Sequence, residues 1–307
     1  MNITNKYNLP STLVEAAKNI FEQYDRVGDL SVTDLIKPTQ VLWLERRHDK
    51  QIEIDVMDLR HALLGTAMHH IFEKASPISS IAEQRFIIPF DGVQISMKPD
   101  LLDIVGLEEA GECAILMDYK ICKAYAIRGG QVKPEWFYQL NMYAYGLRKR
   151  GIDVSKIILV AWIKDWNYIE SIKDNRYPKH GIIQLNVPMM GQAQVESYIR
   201  KRIQTHWQHK ETPDELLPEC SMDERWGSPD RYAVKKVGGK NALPNATFLT
   251  AREADTYITE RTKKDGTLCE KKFCAGESKR CCGAGDWSGC PVRSFCQQWL
   301  TKINPPF

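Results

Sequence analysis

An acidic residue and a lysine stand two positions apart at Asp118 and Lys120, directly after the apolar run 115–117. Because side chains alternate along a strand, both would project from one face where a buried strand ends. A carboxylate there can bind a hard divalent cation, and a lysine beside it can orient or help to deprotonate an attacking water. The pair suits metal-assisted hydrolysis of a phosphodiester, although the same spacing occurs in surface ion pairs worth under about 1 kcal/mol.

A second carboxylate, Asp100, lies upstream of this pair. We expect its strand to pair with the Asp118 strand through a turn at residues 107–112, which would bring the two carboxylates together. Adjacent anions repel each other, and a bridging cation relieves that repulsion. Pro99 indicates an irregular or edge position for Asp100. Asp103, three residues later, is a competing candidate for the same role.

A histidine on a predicted helix, His69, is a candidate third ligand. The apolar periodicity predicts this helix over residues 62–74, where His69 shares a face with Glu73 one turn later. An imidazole added to two carboxylates makes a site more favourable to Mn²⁺ than carboxylates alone. The alternatives are that His69 is structural or that the adjacent His70 is the relevant residue.

Gln139 and Tyr143 lie one turn apart on the helix predicted after the Asp118 strand. Both side chains could hydrogen-bond to a substrate or stack on it beside the metal. The same spacing recurs at Gln194 and Tyr198, where no acid-x-Lys strand precedes the helix. We interpret that second pair as ordinary helix surface and core.

The elements that would position these side chains follow from the apolar periodicity and the turn residues. Helices are expected over residues 12–24, 62–74, 135–151 and 191–210. Extended segments are expected over residues 82–92, 92–106, 113–126, 155–166 and 181–189, with the first three forming a mostly antiparallel meander and residues 31–38 a connector. The pattern predicts an α/β (α+β) fold with a helical segment at 1–60, a core at 61–210 and an irregular cysteine-bearing extension at 211–307.

The composition is that of a globular protein, with 43% hydrophobic and 26% charged residues. A net charge of +3 permits nucleic-acid binding without arguing for it. The first twenty residues lack the pattern of a signal peptide, and the sequence lacks a long apolar run, so we expect a cytoplasmic protein. In that compartment the nine cysteines argue for metal binding rather than for a disulfide framework.

Taken in chain order, the segments GTAMH, KPDLLD, MDYK and QLNMY resemble the RecB-type exonuclease branch of the PD-(D/E)XK nucleases. The similarity is greatest to phage-borne and CRISPR-adaptation nucleases that also contain an iron–sulfur cluster. It implies a restriction-endonuclease-like core, with a central mixed sheet flanked by helices, in a bacterial or phage-infected cell. Lys98 and Pro99 stand where the family often has glycine or another small residue before its aspartate.

The resemblance also assigns roles to individual residues. It implies Lys120 as the catalytic lysine. The other residues that it places at the active site are the ligands of Mg²⁺ or Mn²⁺, namely His69, Asp100 and Asp118, and the substrate-side pair Gln139 and Tyr143.

The tail segment contains Cys290, followed by a proline, and Cys296 after five intervening residues. In the resembling nucleases such a pair supplies two of the four ligands of an iron–sulfur cluster. The resemblance implies Cys220 and Cys282 as the other two ligands of a [4Fe–4S] cluster, with the vicinal Cys281 as the alternative to Cys282. Four thiolates also suit tetrahedral Zn²⁺, although the sequence lacks the paired Cys-x2-Cys knuckles of zinc ribbons.

Together these features predict a metal-dependent deoxyribonuclease, most simply an exonuclease that hydrolyses the ends of single-stranded DNA. One alternative is a non-catalytic adaptor that keeps the fold and binds nucleic acid. The other is an endonuclease or nickase that acts on duplex DNA.

Overall fold

A computed structural model of the chain describes residues 1–22, 26–107, 111–277 and 290–303. Its helices are α1 (Ser11–Glu22), α2 (Val32–Ile36), α3 (Thr39–Arg47), α4 (Arg60–Ala75), α5 (Pro134–Lys149), α6 (Tyr168–Lys173), α7 (Gln192–Trp207), α8 (Ala251–Asp265) and α9 (Gln297–Ile303). Its strands are β1 (Asn2–Thr4), β2 (Leu30–Ser31), β3 (Glu53–Asp55), β4 (Ser80–Ala82), β5 (Phe86–Phe90), β6 (Val93–Met97), β7 (Leu101–Leu107), β8 (Gly111–Cys122), β9 (Val154–Ile163), β10 (Ile182–Asn186), β11 (Arg231–Lys236), β12 (Ala242–Phe248) and β13 (Cys269–Cys274). Within these ranges, no helix combines the length and the apolar character needed to cross a bilayer.

The chain divides into two compact units, the first made of residues 1–37 and 49–212 and the second of residues 38–48 and 213–307. The boundaries expected from the sequence lay after residues 60 and 210. In the structure the N-terminal segment does not form a unit of its own, because most of it joins the first unit and α3 joins the second.

The central sheet of the first unit has the strand order β10-β9-β8-β7-β4. β7 and β8 pair antiparallel, with Leu101 opposite Met117, so the predicted hairpin is confirmed; residues 108–110 of its turn lie outside the described residues. β8 and β9 run parallel because α5 carries the chain back across the sheet. The sheet is therefore mixed, and the α+β class predicted from the sequence is confirmed at this level. Leu116, Leu140 and Leu159 are fully buried in its core.

The segment expected to be one strand over residues 92–106 forms two strands in different sheets. β6 belongs to a three-stranded sheet of order β2-β6-β5, whereas β7 belongs to the central sheet. The strands are separated by Lys98, Pro99 and Asp100. Proline lacks the N–H that would continue a ladder, which accounts for the break. The break places Asp100 directly before a strand.

The segment expected to be a connector, residues 31–38, contains α2. Asp34 N donates to Ser31 Oγ and Ser31 N donates to Asp34 Oδ2, each at 3.0 Å, which is a capping box at the start of the helix. From α7, Arg202 Nε donates to the Leu35 carbonyl at 2.7 Å, and the same guanidinium donates to the Lys37 carbonyl. These bonds satisfy carbonyls at the end of α2 that have no partner within the helix.

The second unit, which the sequence predicted to be irregular, contains a three-stranded antiparallel sheet of order β12-β11-β13. α8 packs on this sheet, and Val234, Ala246 and Ala254 form its buried core. The expectation of an irregular extension was wrong here because β11 and β13 each contain two adjacent lysines and β12 contains a proline, so their alternation of apolar and polar residues is weak.

A buried histidine, His206 on α7, makes the first unit sensitive to acid. The residue has no exposed surface. Burial lowers the pKa of His206 to about 4, with the nearby Arg202 cation acting in the same direction. The folded state therefore holds His206 neutral under conditions in which an unfolded chain would protonate it.

We expect stability to fall as the pH decreases from about 6.5 to about 4, because over that window only the unfolded state binds a proton at this histidine. The contribution should be on the order of 2–3 kcal/mol. Urea unfolding at pH 7 and at pH 4.5 would measure it. The loss between the two pH values should be smaller in His206→Gln than in the parent, and equal losses would contradict the assignment.

Candidate metal centre

The carboxylate of Asp118 lies in the middle of the central sheet with no exposed surface. β8 carries it between β7 and β9, and the apolar residues before it bury the strand. Lys120 Nζ lies 2.5 Å from Asp118 Oδ2. Lys120 thus balances the charge on the Oδ2 side, whereas Oδ1 has no hydrogen-bond partner among the described residues. A buried carboxylate left in this state is costly, and coordination of a cation is one way to satisfy it.

Asp100 lies beside this carboxylate, at the break between β6 and β7. Its Oδ2 accepts a hydrogen bond from Tyr119 N at 2.7 Å, which ties it to the strand that carries Asp118. Burial raises the pKa of Asp100 to about 7, and the charge of Asp118 raises it further against the opposing effect of Lys120. Two carboxylates are thus held close together in a poorly solvated place, as a divalent cation requires of its ligands.

His69 on α4 completes a group of three possible ligands with Asp100 and Glu83. His69 Nδ1 lies 2.9 Å from Glu83 Oε1 and 3.6 Å from Asp100 Oδ1. One ligand atom from each of the three residues lies within 4.8 Å of the others. A histidine and two carboxylates fit the donor set of a hard or borderline divalent metal such as Mn²⁺. Asp118 stands outside this trio, although its charge acts on Asp100.

Glu83 is the site residue that sequence reasoning missed. It follows β4, and its N–H donates to the Asp100 carbonyl at 3.0 Å, so the pairing of β4 with β7 delivers it to the site. Its backbone has φ of 52°, in the left-handed region that is uncommon for residues other than glycine. No motif marks this glutamate, and only the unusual backbone and the strand pairing identify it.

The expected neighbour of His69 on the helix, Glu73, lies instead near His70, with 3.7 Å between Oε2 and Nδ1. Both of these side chains are well exposed, whereas His69 and Glu83 are largely covered. The structure thus favours His69 over His70 as the site residue.

Lys98, which departs from the pattern of the resembling family, contacts Glu83. Its Nζ lies 2.5 Å from Glu83 Oε2. Burial would raise the pKa of Glu83, but hydrogen bonds from His69 and Lys98 outweigh it and lower the pKa. The hydrogen bond to Glu83 is also the largest influence on His69, whose pKa is raised although burial opposes this. In the His69–Glu83 pair, each residue therefore favours the charged form of the other.

The remaining candidates lie outside this trio. Gln139 and Tyr143 are buried within the first unit, and Gln139 Nε2 donates to the Tyr143 hydroxyl at 3.0 Å. Asp103, the competitor of Asp100, accepts a hydrogen bond from Ser80 Oγ at 3.2 Å. The substrate-side role expected of Gln139 and Tyr143 stays a prediction, and Asp103 is not in the group of possible ligands found among the described residues.

Two cysteines of the second unit, Cys220 and Cys296, contact a buried glutamine, Gln40 of α3. Gln40 is 1% exposed, and its Oε1 accepts hydrogen bonds from Cys296 Sγ at 3.2 Å and from Cys220 Sγ at 3.7 Å. The main chain of Cys220 is held by Gln298 of α9, which accepts from its N–H at 3.1 Å and donates to its carbonyl at 3.0 Å. Two thiols far apart in the sequence are thus brought to one atom.

The other cysteines have different surroundings. Cys290 is partly exposed one short turn before Cys296, and its carbonyl accepts from Arg293 N. Cys281 and Cys282 lie outside the described residues. The ends of β13 carry Cys269 and Cys274.

The comparisons with known proteins leave the function open. No family model matches the chain, and no curated protein matches it. Among solved structures, the chain is similar to one described as "Crystal structure of SSO0001", with 16% identity, a TM-score of 0.45, and coverage of 66% of this chain and 87% of that chain. Any functional assignment has to rest on the geometry of the site itself.

We expect Glu83→Gln to weaken Mn²⁺ binding by about 10-fold or more, because the amide keeps the shape of the side chain and removes the charge that holds His69. Titration with Mn²⁺, followed by electron paramagnetic resonance of the free ion, would measure the affinity. The matched control is Glu73→Gln, an exposed glutamate near the same helix residues. Equal affinities of parent and Glu83→Gln would remove Glu83 from the site.

Proposed function

We propose that the protein is a metal-dependent deoxyribonuclease that acts on the ends of single-stranded DNA. The observation that carries this proposal is the convergence of His69, Glu83 and Asp100 next to a buried carboxylate, Asp118, that is paired with Lys120. An ion pair formed only for stability would not need three more ionisable side chains beside it. Buried clusters with shifted pKa values of this kind are typical of catalytic sites.

We also propose that the first unit has a restriction-endonuclease-like core. A restriction-endonuclease-like core of the PD-(D/E)XK type has an acid-x-Lys strand end beside a second acidic residue. The hairpin of β7 and β8, with Asp100 before the first strand and Asp118 and Lys120 on the second, supports that assignment. The crossover helix α5 between β8 and β9 supports it as well.

In this proposal Asp100, Asp118 and His69 bind Mg²⁺ or Mn²⁺, with Glu83 as an additional ligand or as the residue that orients His69. Such a cation would polarise the scissile phosphate and lower the pKa of a bound water. Asp118 is well suited to this role because its buried Oδ1 has no hydrogen-bond partner among the described residues.

Lys120 supplies positive charge in this site. Burial alone would lower its pKa, but the carboxylates of Asp118 and Asp100 outweigh that effect and raise the pKa. A lysine held as an ammonium stabilises the negative charge that develops on phosphate oxygens during hydrolysis, and it can orient the attacking water through its N–H donors.

The proposed iron–sulfur cluster is a structural element of the second unit rather than part of the chemistry. Cys220 and Cys296, whose thiols share Gln40 as acceptor, fit two ligands of a [4Fe–4S] cluster. Cys290 is the third proposed ligand and Cys282, outside the described residues, the fourth. Tetrahedral Zn²⁺ is the alternative occupant of the same four thiolates.

We expect Asp118→Asn to reduce the degradation of end-labelled single-stranded DNA with Mn²⁺ by about 1,000-fold, because it removes a charge from the metal centre. Because the substitution removes both the repulsion with Asp100 and the ion pair with Lys120, circular dichroism would verify that the variant is folded before its activity is compared. Release of labelled nucleotides over time would measure the rate.

The matched control for this experiment is Asp103→Asn on the adjacent strand, whose carboxylate accepts from Ser80 and should matter little. Activity in Asp118→Asn at the level of the parent would contradict the proposal. A parent that binds DNA but does not cleave it would support the adaptor instead. A closed circular single strand should stay intact, and its cleavage would indicate an endonuclease.

Removing a proposed cluster ligand should remove the cofactor. We expect purified parent to be brown and to contain iron and sulfide, and Cys296→Ser to lose most of both because one of four thiolates is missing. Metal analysis and the visible spectrum would measure this, with Cys274→Ser at the end of β13 as the control. A colourless parent containing stoichiometric zinc would establish the zinc alternative.

A further inference from the structure

Two lysines lie side by side where the central parallel strands end. Cys122, the last residue of β8, is paired with Ile163, the last residue of β9. Lys123 and Lys164 are the next residues after the two strands. Lys164 N donates to the Cys122 carbonyl at 3.0 Å, so the two segments lie side by side as they leave the sheet. Both lysine side chains are exposed.

The start of α4 adds basic groups to the same place. Lys164 Nζ lies 3.0 Å from Nδ1 and 3.2 Å from Nε2 of His61. The pKa of His61 is lowered, first by desolvation and then by Lys164, Arg60 and Lys123. The pKa of Lys164 is lowered in the same way by desolvation and by Lys123 and Arg60. These mutual effects mean that positive charge has been concentrated on a small surface.

The nearby carboxylate does not neutralise this concentration. Asp165 acts favourably on Lys164, but not enough to prevent the lowered pKa. Its Oδ1 accepts a hydrogen bond from Ala124 N at 2.7 Å, which fixes the turn after β8. Basic groups gathered at the ends of neighbouring strands provide a site for an anion.

An exposed aromatic residue follows Lys123 closely in the chain. Tyr125 is 83% exposed and lies two residues after Lys123 in the turn fixed by Asp165. Ala126 N donates to the Lys123 carbonyl at 2.9 Å, which holds the turn from within. Burying so large a ring on a partner would be favourable, and an exposed aromatic beside cations is the usual platform for an unpaired base.

We propose that Arg60, His61, Lys123, Tyr125 and Lys164, here called the strand-end surface, bind single-stranded DNA, with cations on the phosphodiester backbone and a base stacked on Tyr125. The choice of ligand rests on the proposed nuclease function. Lys123 follows Lys120 by three residues on the same chain, about 10 Å in extended backbone, so DNA bound here would reach the proposed metal centre. The surface would therefore hold the strand one or a few nucleotides from the bond to be cleaved.

The test measures binding of fluorescein-labelled oligothymidylate by anisotropy in EDTA, where the proposed nuclease cannot cut. The double variant Lys123→Gln/Lys164→Gln should bind about 10-fold more weakly at moderate salt. The slope of log affinity against log salt should become shallower by about 0.7 for each phosphate that the variant no longer neutralises. Tyr125→Ala should weaken binding of the single strand by about 10-fold and leave binding of a duplex of the same length nearly unchanged.

Two further variants make the result specific. Lys156→Gln removes an exposed lysine near the opposite end of β9 and should bind like the parent. Lys123→Arg keeps the charge and should retain binding, which separates a role in binding from a loss of folding. Parent-like affinity and salt slope in the double variant would overturn the proposal, and so would an equal loss in Lys156→Gln.

The outcome can be separated from that of the nuclease proposal. If the double variant binds weakly and the parent does not cleave DNA with Mn²⁺, the strand-end surface stands and the nuclease proposal fails. If the parent cleaves DNA but the double variant binds like the parent, the nuclease proposal stands and the strand-end surface fails. If Tyr125→Ala weakens duplex and single strand equally, stacking on an unpaired base is excluded and this part of the proposal fails.

Discussion

The central constraint in this protein is the placement of the Asp118 carboxylate inside a sheet, next to a second carboxylate that it repels. Burial of one charge is expensive, and burial of two like charges more so. Lys120 offsets the charge on Asp118, and Tyr119 N donates to Asp100. Burial still raises the pKa of Asp100 to about 7, so these contacts offset only part of the cost of its charge. Features of the surrounding structure reduce the free-energy cost of burying these two carboxylates.

The strand break at Pro99 is one of these features. Were β6 and β7 one continuous strand, Asp100 would be a member of the ladder and its side chain would follow the alternation of the sheet. Ending one sheet at Met97 and starting the next at Leu101 frees the intervening residues from this geometry. Lys98 can then contact Glu83 while Asp100 contacts the strand of Asp118. Lys98, which departs from the pattern of the resembling family, therefore forms an ion pair with Glu83.

The features that could be predicted from the sequence are those that depend on residues close together along the chain. The apolar run before Asp118 and the turn after Asp100 were sufficient to predict their hairpin, and periodicity was sufficient for α5 and α7. Glu83 could not be found in this way, because it reaches the site through the pairing of β4 with β7. The convergence of Cys220 and Cys296 on Gln40 likewise depends on contacts between distant segments, which no local pattern encodes.

The hydrogen bond between Gln40 and Cys296 joins residues separated by 256 positions, so it can form only after all the residues between them have been synthesised. The second unit takes α3 from the beginning of the chain and everything else from the end. During synthesis α3 leaves the ribosome well before residues 213–303, so Gln40 lacks its two cysteine partners until that later segment follows. The first unit can meanwhile complete its sheet. A fragment ending at residue 212 would contain α3 without the rest of its unit, so isolating the first unit requires replacing residues 38–48 as well as removing the tail.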